Sequence, residues 1–184
     1  MSSGSFRRED IVRLLADLEV RLNARGVALN IQIVGGAALL LHGLIERATG
    51  DIDARYASAA AVEQVAREMA VEYSLPPDWI NSRAMAFLPE NATWMAGPEG
   101  TSAAIQLADL PTLAAMKVAA ERPKDIADLG HIINALGIQE PDRLVDFAYE
   151  KFGEESMTLT QGRDNYEIVA EEALKAAEAF RKKK

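Results

Sequence analysis

Asp51 and Asp53 flank one isoleucine in Asp51-Ile52-Asp53, and residues two apart on an extended strand face the same way. Two carboxylates then stand side by side while Ile52 turns toward the core. Such a pair repels unless a hard cation sits between its members, and magnesium held by one or two carboxylates and completed by substrate phosphates is the arrangement it suits. Upstream, Val34 runs into Gly35-Gly36. Glycines between a strand and a helix let backbone amides point at a ligand, and a helix start adds positive potential, so this place favours a phosphate. Together the two features suit phosphoryl or nucleotidyl transfer, which needs charge neutralisation and in-line positioning more than a protein nucleophile. An Asp-x-Asp pair also suits metal-dependent hydrolysis of a phosphate ester. Release of orthophosphate rather than pyrophosphate would mark that reaction.

Other residues have both a chemical and a plain reading. Arg47 and Thr49, in the approach to Asp51, contact phosphate or base on one reading; on the other, Thr49 braces the turn and Arg47 neutralises the aspartates. Lys117 lies between Met116 and Val118 on an apolar helix, and a lysine stays buried only when its ammonium has a partner. Asp125 and Asp128 fall on one helical face, where first-turn acids are favourable in any case. Arg122 and Lys124 flank that helix start as phosphate contacts or as solvated surface. His42 reads as a packed, hydrogen-bonded residue, and His131 likewise. Trp79 and Trp94 anchor their loops or stack on a base.

The 184-residue chain suits one core, or one core with a helical appendage. With 49% hydrophobic and 26% charged residues it can bury a core and is no disordered tail. The absence of cysteine removes disulfides, thiolate metal sites and cysteine nucleophiles, and two histidines are too few for a multi-histidine cage. A net charge of −8 argues against a surface coated with nucleic-acid-binding cations, though not against a local basic site. Residues 1–10 hold no apolar core of signal-peptide type, and no stretch reaches the ~18 apolar residues of a membrane helix. The expected location is cytoplasmic, with no membrane partner.

The elements that must hold these groups can be placed from periodicity. Residues 6–24 put Ile11, Leu14, Leu15, Leu18 and Leu22 on one helical face, with Ser5 as cap. Residues 27–34 alternate as a strand, residues 37–44 form a short buried helix stopped at Gly43, and residues 51–56 form a second strand. Residues 59–73 are helical, with Val62, Val65, Ala66, Met69 and Ala70 inward. Residues 84–88 and 101–107 are β-like. From Asp109, which caps, the chain is helical: one helix from Leu110, one over residues 123–136 stopped by Gly137, one over residues 141–152 stopped by Gly153, and one over residues 165–184 with a basic end. The expectation is an α/β core over residues 1–108 and a helical region over residues 109–184 that packs on it.

Gly35-Gly36, Arg47-Ala48-Thr49-Gly50-Asp51-Ile52-Asp53, Lys117 and Arg122-Pro123-Lys124-Asp125-Ile126-Ala127-Asp128-Leu129, in that order, resemble the nucleotidyltransferase superfamily related to DNA polymerase β. Within it they are most similar to the small bacterial group that includes the AbiEii-type toxins. The resemblance spans residues 31–136. It implies an α+β fold with a mixed sheet flanked by helices and a helical C-terminal half. It also implies Mg²⁺ (or Mn²⁺) on Asp51 and Asp53, and transfer of a nucleoside monophosphate from a nucleoside triphosphate to a hydroxyl of RNA, such as a tRNA 3′ end, or of protein. Further implications are a triphosphate contact from Lys117, an acid from Asp125 or Asp128 that completes the site, and an antitoxin partner.

Two positions depart from the pattern. Many members follow the glycines with Ser or Thr, whereas position 37 is alanine. The third carboxylate of the superfamily lies in an apolar-acid-apolar setting on a later strand, and Ile105-Gln106-Leu107 offers an amide there. Either Asp125 or Asp128 substitutes, or the metal shell is incomplete. The competing expectation is accordingly a non-catalytic nucleotide-binding or interaction module that keeps the fold.

Overall fold

A computed structural model describes residues 4–182. The first three residues, and Lys183 and Lys184 at the end of the expected last helix, lie outside the described residues. The fold is α+β: a mixed sheet flanked by helices, with a helical C-terminal part. The chain divides into two compact units, Met1–Ala86 with Trp94–Ala108, and Phe87–Thr93 with Asp109–Lys184. Among the described residues no helix is long and apolar enough to cross a membrane.

The first unit holds helices α1 (Arg8–Asn23), α2 (Gly35–Leu41) and α3 (Ala59–Tyr73) and strands β1 (Ile31–Ile33), β2 (Ile52–Tyr56), β3 (Ile80–Asn81), β4 (Trp94–Ala96) and β5 (Ile105–Ala108). The strand order is β3-β2-β1-β5-β4. β1 is antiparallel to β2 and parallel to β5, β2 is parallel to β3, and β4 is antiparallel to β5. Alternation then sorts the side chains: Ile31, Ile33, Ile52, Ala54, Ile105 and Leu107 are all buried, while Gln32, Asp53, Arg55 and Gln106 share the opposite face through their register. α2 packs on β2 and β5, and α1 on α2 and α3.

The apolar face of α1 is as expected, with Ile11, Leu14, Leu15, Leu18 and Leu22 buried, but its N-cap is Arg7 rather than Ser5. Asp10 accepts the Arg7 N–H at 3.1 Å, supplying the first-turn acceptor that a Ser5 cap would have provided. α3 has its expected bounds and inner face. Arg21 ties α1 to α3 by donating to Asp17 at 3.0 Å and to Glu72 at 2.8 Å. Trp79 anchors its loop, fully buried with Nε1 donating to the Ala66 carbonyl at 3.0 Å.

Several local readings change. The β-like stretch expected over residues 101–107 is a strand only at Ile105–Ala108, since residues 101–104 form a turn closed by the Thr101 N–H to Pro98 carbonyl and Ile105 N–H to Ser102 carbonyl bonds. The last helix starts at Arg163, two residues before its expected start. The strand expected over residues 27–34 shrinks to Ile31–Ile33, because only that stretch lies between two partner strands. Residues 84–88 are not extended: Arg83–Phe87 is a 3-10 helix, opened by the Asn81 Oδ1 accepting the Arg83 N–H at 3.0 Å and by a Met85 N–H to Ser82 carbonyl bond of 3.1 Å. Alternating alanines carried the false period. α2 begins on the diglycine itself, two residues before its expected start.

The second unit is built on α4 (Leu110–Ala120), α5 (Pro123–Leu136), α6 (Pro141–Phe152) and α7 (Arg163–Arg181). Its closest packing is α5 on α7 and α4 on α6. Proline opens α5 and α6 where its missing N–H costs nothing, and Gly137 and Gly153 follow their ends. Asp109 caps α4 by accepting the Thr112 N–H at 2.9 Å, a bond of the kind that contributes about 1 kcal/mol. His131 stacks on Phe180 with centroids 4.3 Å apart, a packing use of the ring.

Candidate active site

In the first unit the end of β1, the start of α2 and the start of β2 converge. The antiparallel pair β1/β2 continues past its last register as a Val34 N–H to Asp53 carbonyl bond of 2.9 Å, so the chain turns into α2 directly beside Asp53. Gly35 sits in the left-handed region with φ +67°. A Cβ at Gly35 would stand 3.2 Å from Asp53 Oδ2, and one at Gly36 would stand 3.4 Å from the Thr49 hydroxyl. The glycines are therefore the residues that let backbone approach these side chains. Ile52 and Ala54 are buried, while Asp53 in β2 and Asp51 just before the strand are half-buried.

Thr49 braces the approach. Its backbone forms a two-way bridge with Phe6, at 2.6 and 3.0 Å, and its hydroxyl donates to the Asp51 carbonyl at 3.2 Å. Arg47 is exposed on the same approach. Asn81, opposite Asp53 in β3, is a member of this cluster that pattern reading missed. Its Nδ2 donates to Asp51 Oδ2 at 3.1 Å. A lone asparagine after Trp79-Ile80 carries no periodic signal; only the β2/β3 register puts it here. Arg83 follows, its pKa raised first by its hydrogen bond to Asp78 and further by the fields of Asp78, Asp51 and Asp53.

Gly35 and Gly36 should respond differently to alanine. Gly35→Ala combines left-handed backbone, at about 1–2 kcal/mol, with pressure on the Asp53 carboxylate. Gly36→Ala meets only an ordinary contact. Thermal melts should show a clear loss for the first and little for the second, and equal losses would contradict this geometry.

Ala37 is buried and offers no hydroxyl. Gln106 pairs with Gln32 across β1/β5, accepting from its Nε2 at 2.9 Å, while Arg55 Nε donates to Gln32 Oε1 at 2.7 Å and its guanidinium lies 5.2 Å from the Trp94 ring centroid. His42 Nε2 bonds the Ala108 carbonyl at 2.8 Å, as befits a structural histidine. Among the described residues no group of three or more His, Cys, Asp or Glu is placed to hold a metal ion. A pair of carboxylates such as Asp51 and Asp53 would suit only a hard cation completed by phosphate oxygens and water, not one that demands an all-protein cage.

The remaining expected residues lie in the second unit and form a cluster there. Lys117 on α4 is 5% exposed and donates to Asp125 Oδ1 and to Asp128 Oδ2 of α5, each at 2.7 Å. Arg122 Nε donates to Asp125 Oδ2 at 2.6 Å, and Lys124 is exposed. Asp125 is buried, which alone would raise its pKa; the Arg122 hydrogen bond and the charge and hydrogen bond of Lys117 outweigh this and hold it below the usual carboxylate range. A folded-state pKa below the unfolded one stabilises the fold above the unfolded value and is lost as pH falls through the folded value. Melts of the wild type should therefore lose this contribution only below about pH 4, and Asp125→Asn should flatten that acid limb.

No curated protein and no solved structure matches the chain. Residues 9–158, most of its length, match the family described as nucleotidyltransferase of unknown function (DUF6036). With its diglycine set against an Asp-x-Asp strand, the chain belongs to that nucleotidyltransferase family.

Proposed function

We propose that this protein is a Mg²⁺- or Mn²⁺-dependent enzyme that moves a nucleoside monophosphate from a nucleoside triphosphate to a hydroxyl of RNA, with a tRNA 3′ end as one acceptor, or of protein. The observation that carries this is the packing of Gly35 against Asp53 Oδ2, with Asp51 half-buried just before the strand. Asp51 and Asp53 would hold the cation, whose role is to neutralise phosphate charge. The Gly35-Gly36 backbone would admit the triphosphate close to them, and Arg47 would lie on the approach. The acceptor oxygen attacks the α-phosphorus, the new P–O bond forms, the bond to the β-phosphate oxygen breaks, and pyrophosphate leaves with the hydroxyl proton passing to water.

Lys117, Asp125, Asp128, Arg122 and Lys124 enter through the resemblance to AbiEii-type proteins, which also suggests a toxin role, an antitoxin partner and a cytoplasmic setting. Within their own unit, Lys117 already has two carboxylate partners. Incubation with each labelled nucleoside triphosphate, Mg²⁺ and total RNA or lysate protein should yield a labelled macromolecule and pyrophosphate. No transfer and no triphosphate binding would end the proposal.

A second reading, a nucleotide-binding module without turnover, is favoured by Ala37 and by the Gln106 amide bonded to Gln32 in place of a third acid. Calorimetry showing triphosphate binding with no pyrophosphate release would select it.

A further inference from the structure

Asn81 is 8% exposed and makes three hydrogen bonds. Its Oδ1 accepts the Arg83 N–H at 3.0 Å, and its Nδ2 donates to Asp51 Oδ2 at 3.1 Å and to the Asp78 carbonyl at 3.4 Å. The backbone N–H on the oxygen side fixes which end of the amide faces the carboxylate. The residue paired across the sheet from Asp53 thus presents a donor to Asp51. An exposed ion pair between Arg83 and Asp78 closes the turn around it. A carboxylate that accepts from a fixed amide is held in one rotamer, and that bond is favourable beside a second negative charge.

We infer that Asn81 is a positioning residue for the cation site: it ties down Oδ2 of Asp51 so that the other oxygen is presented together with Asp53. The inference rests on reading Asp51 and Asp53 as cation ligands. It gives the amide a chemical task at a position where an acid would add a third negative charge. Knitting β3 to β2 would also use this bond, and the two roles separate by measurement. A structural role moves thermal stability alone, whereas a positioning role moves cation affinity. Partners of this kind change metal affinity by about 10–100-fold.

The test is titration of the full chain with Mn²⁺ alone, followed by electron paramagnetic resonance, with melts recorded with and without the ion. Wild type should bind Mn²⁺ and Asp51→Ala should not. Asn81→Ala should bind roughly 10-fold more weakly, with a melting shift too small to account for it. Asn81→Asp, isosteric and able to fold if alanine is not, should melt lower than wild type without the ion and gain more from Mn²⁺ than wild type does. Wild-type Mn²⁺ affinity in Asn81→Ala, or an Asn81→Asp protein that behaves as wild type in both measurements, would overturn the role of Asn81 and leave the ligand reading intact. Absence of Mn²⁺ binding by the wild type itself would overturn both.

Discussion

Replacing Asp51 or Asp53 by alanine is expected to lower nucleotidyl transfer by about 10²–10³-fold or more while the protein stays folded, since removal of one preorganised charge-stabilising group costs that much in other enzymes. Both side chains are half-buried, Asp53 within β2 and Asp51 just before it, while Ile52 and Ala54 are buried and hold the strand. Loss of either carboxylate therefore removes charge from the site without opening a hole in the core. The loss should persist in excess Mg²⁺, because each variant lacks one of the two carboxylates that would hold the cation. The measurement is a labelled-triphosphate transfer assay beside a melting curve. Substantial transfer by either variant at an unchanged melting temperature would show that chemistry does not pass through this pair.

Lys117→Met should be the most destabilising single change in the second unit. The lysine is almost fully buried, and its two partners, Asp125 and Asp128, are 1% and 2% exposed. Methionine fills much of the same volume but strips both buried carboxylates of their shared cation, while Arg122 still pairs with Asp125. Breaking a buried ion pair from one side costs about 3–5 kcal/mol, mainly the desolvation of the charge left behind. At about 2–4 °C per kcal/mol for a chain of this size, the melting temperature should fall by roughly 10 °C. Adding Asp128→Asn in the same chain should restore part of the loss, because it removes one of the two buried charges that had bonded the ammonium. If Lys117→Met melted like wild type, the cluster would not be bearing on stability.

Much of this architecture was legible from local signals. α3, α5 and α6 have the bounds their periodicity, opening prolines and following glycines indicate. The buried face of α1 is the five residues its spacing selects. Where an element is long enough to repeat its period, or is punctuated by residues with restricted backbone, the chain carries the information itself. β3 and β4, at two and three residues, repeat nothing and had no such signal. The same shortness allowed alanines at 84 and 86 to imitate a strand where Asn81 and Ser82 instead close a 3-10 turn.

The candidate site divides along the same line. Residue order alone indicated that Asp51 and Asp53 would face the same way if extended, that Gly35-Gly36 follows a strand and that Lys117 needs a partner, because each follows from backbone geometry or from the cost of an unpaired buried charge. Only the tertiary structure decided that Gly35 abuts Asp53, that Asn81 reaches Asp51, that Gln106 is spent on Gln32 and that Lys117 is shared by Asp125 and Asp128. Those pairings depend on strand register and helix packing. A shift of one residue in register would turn every side chain of a strand to the opposite face, and no local pattern in the chain records which partner is met there.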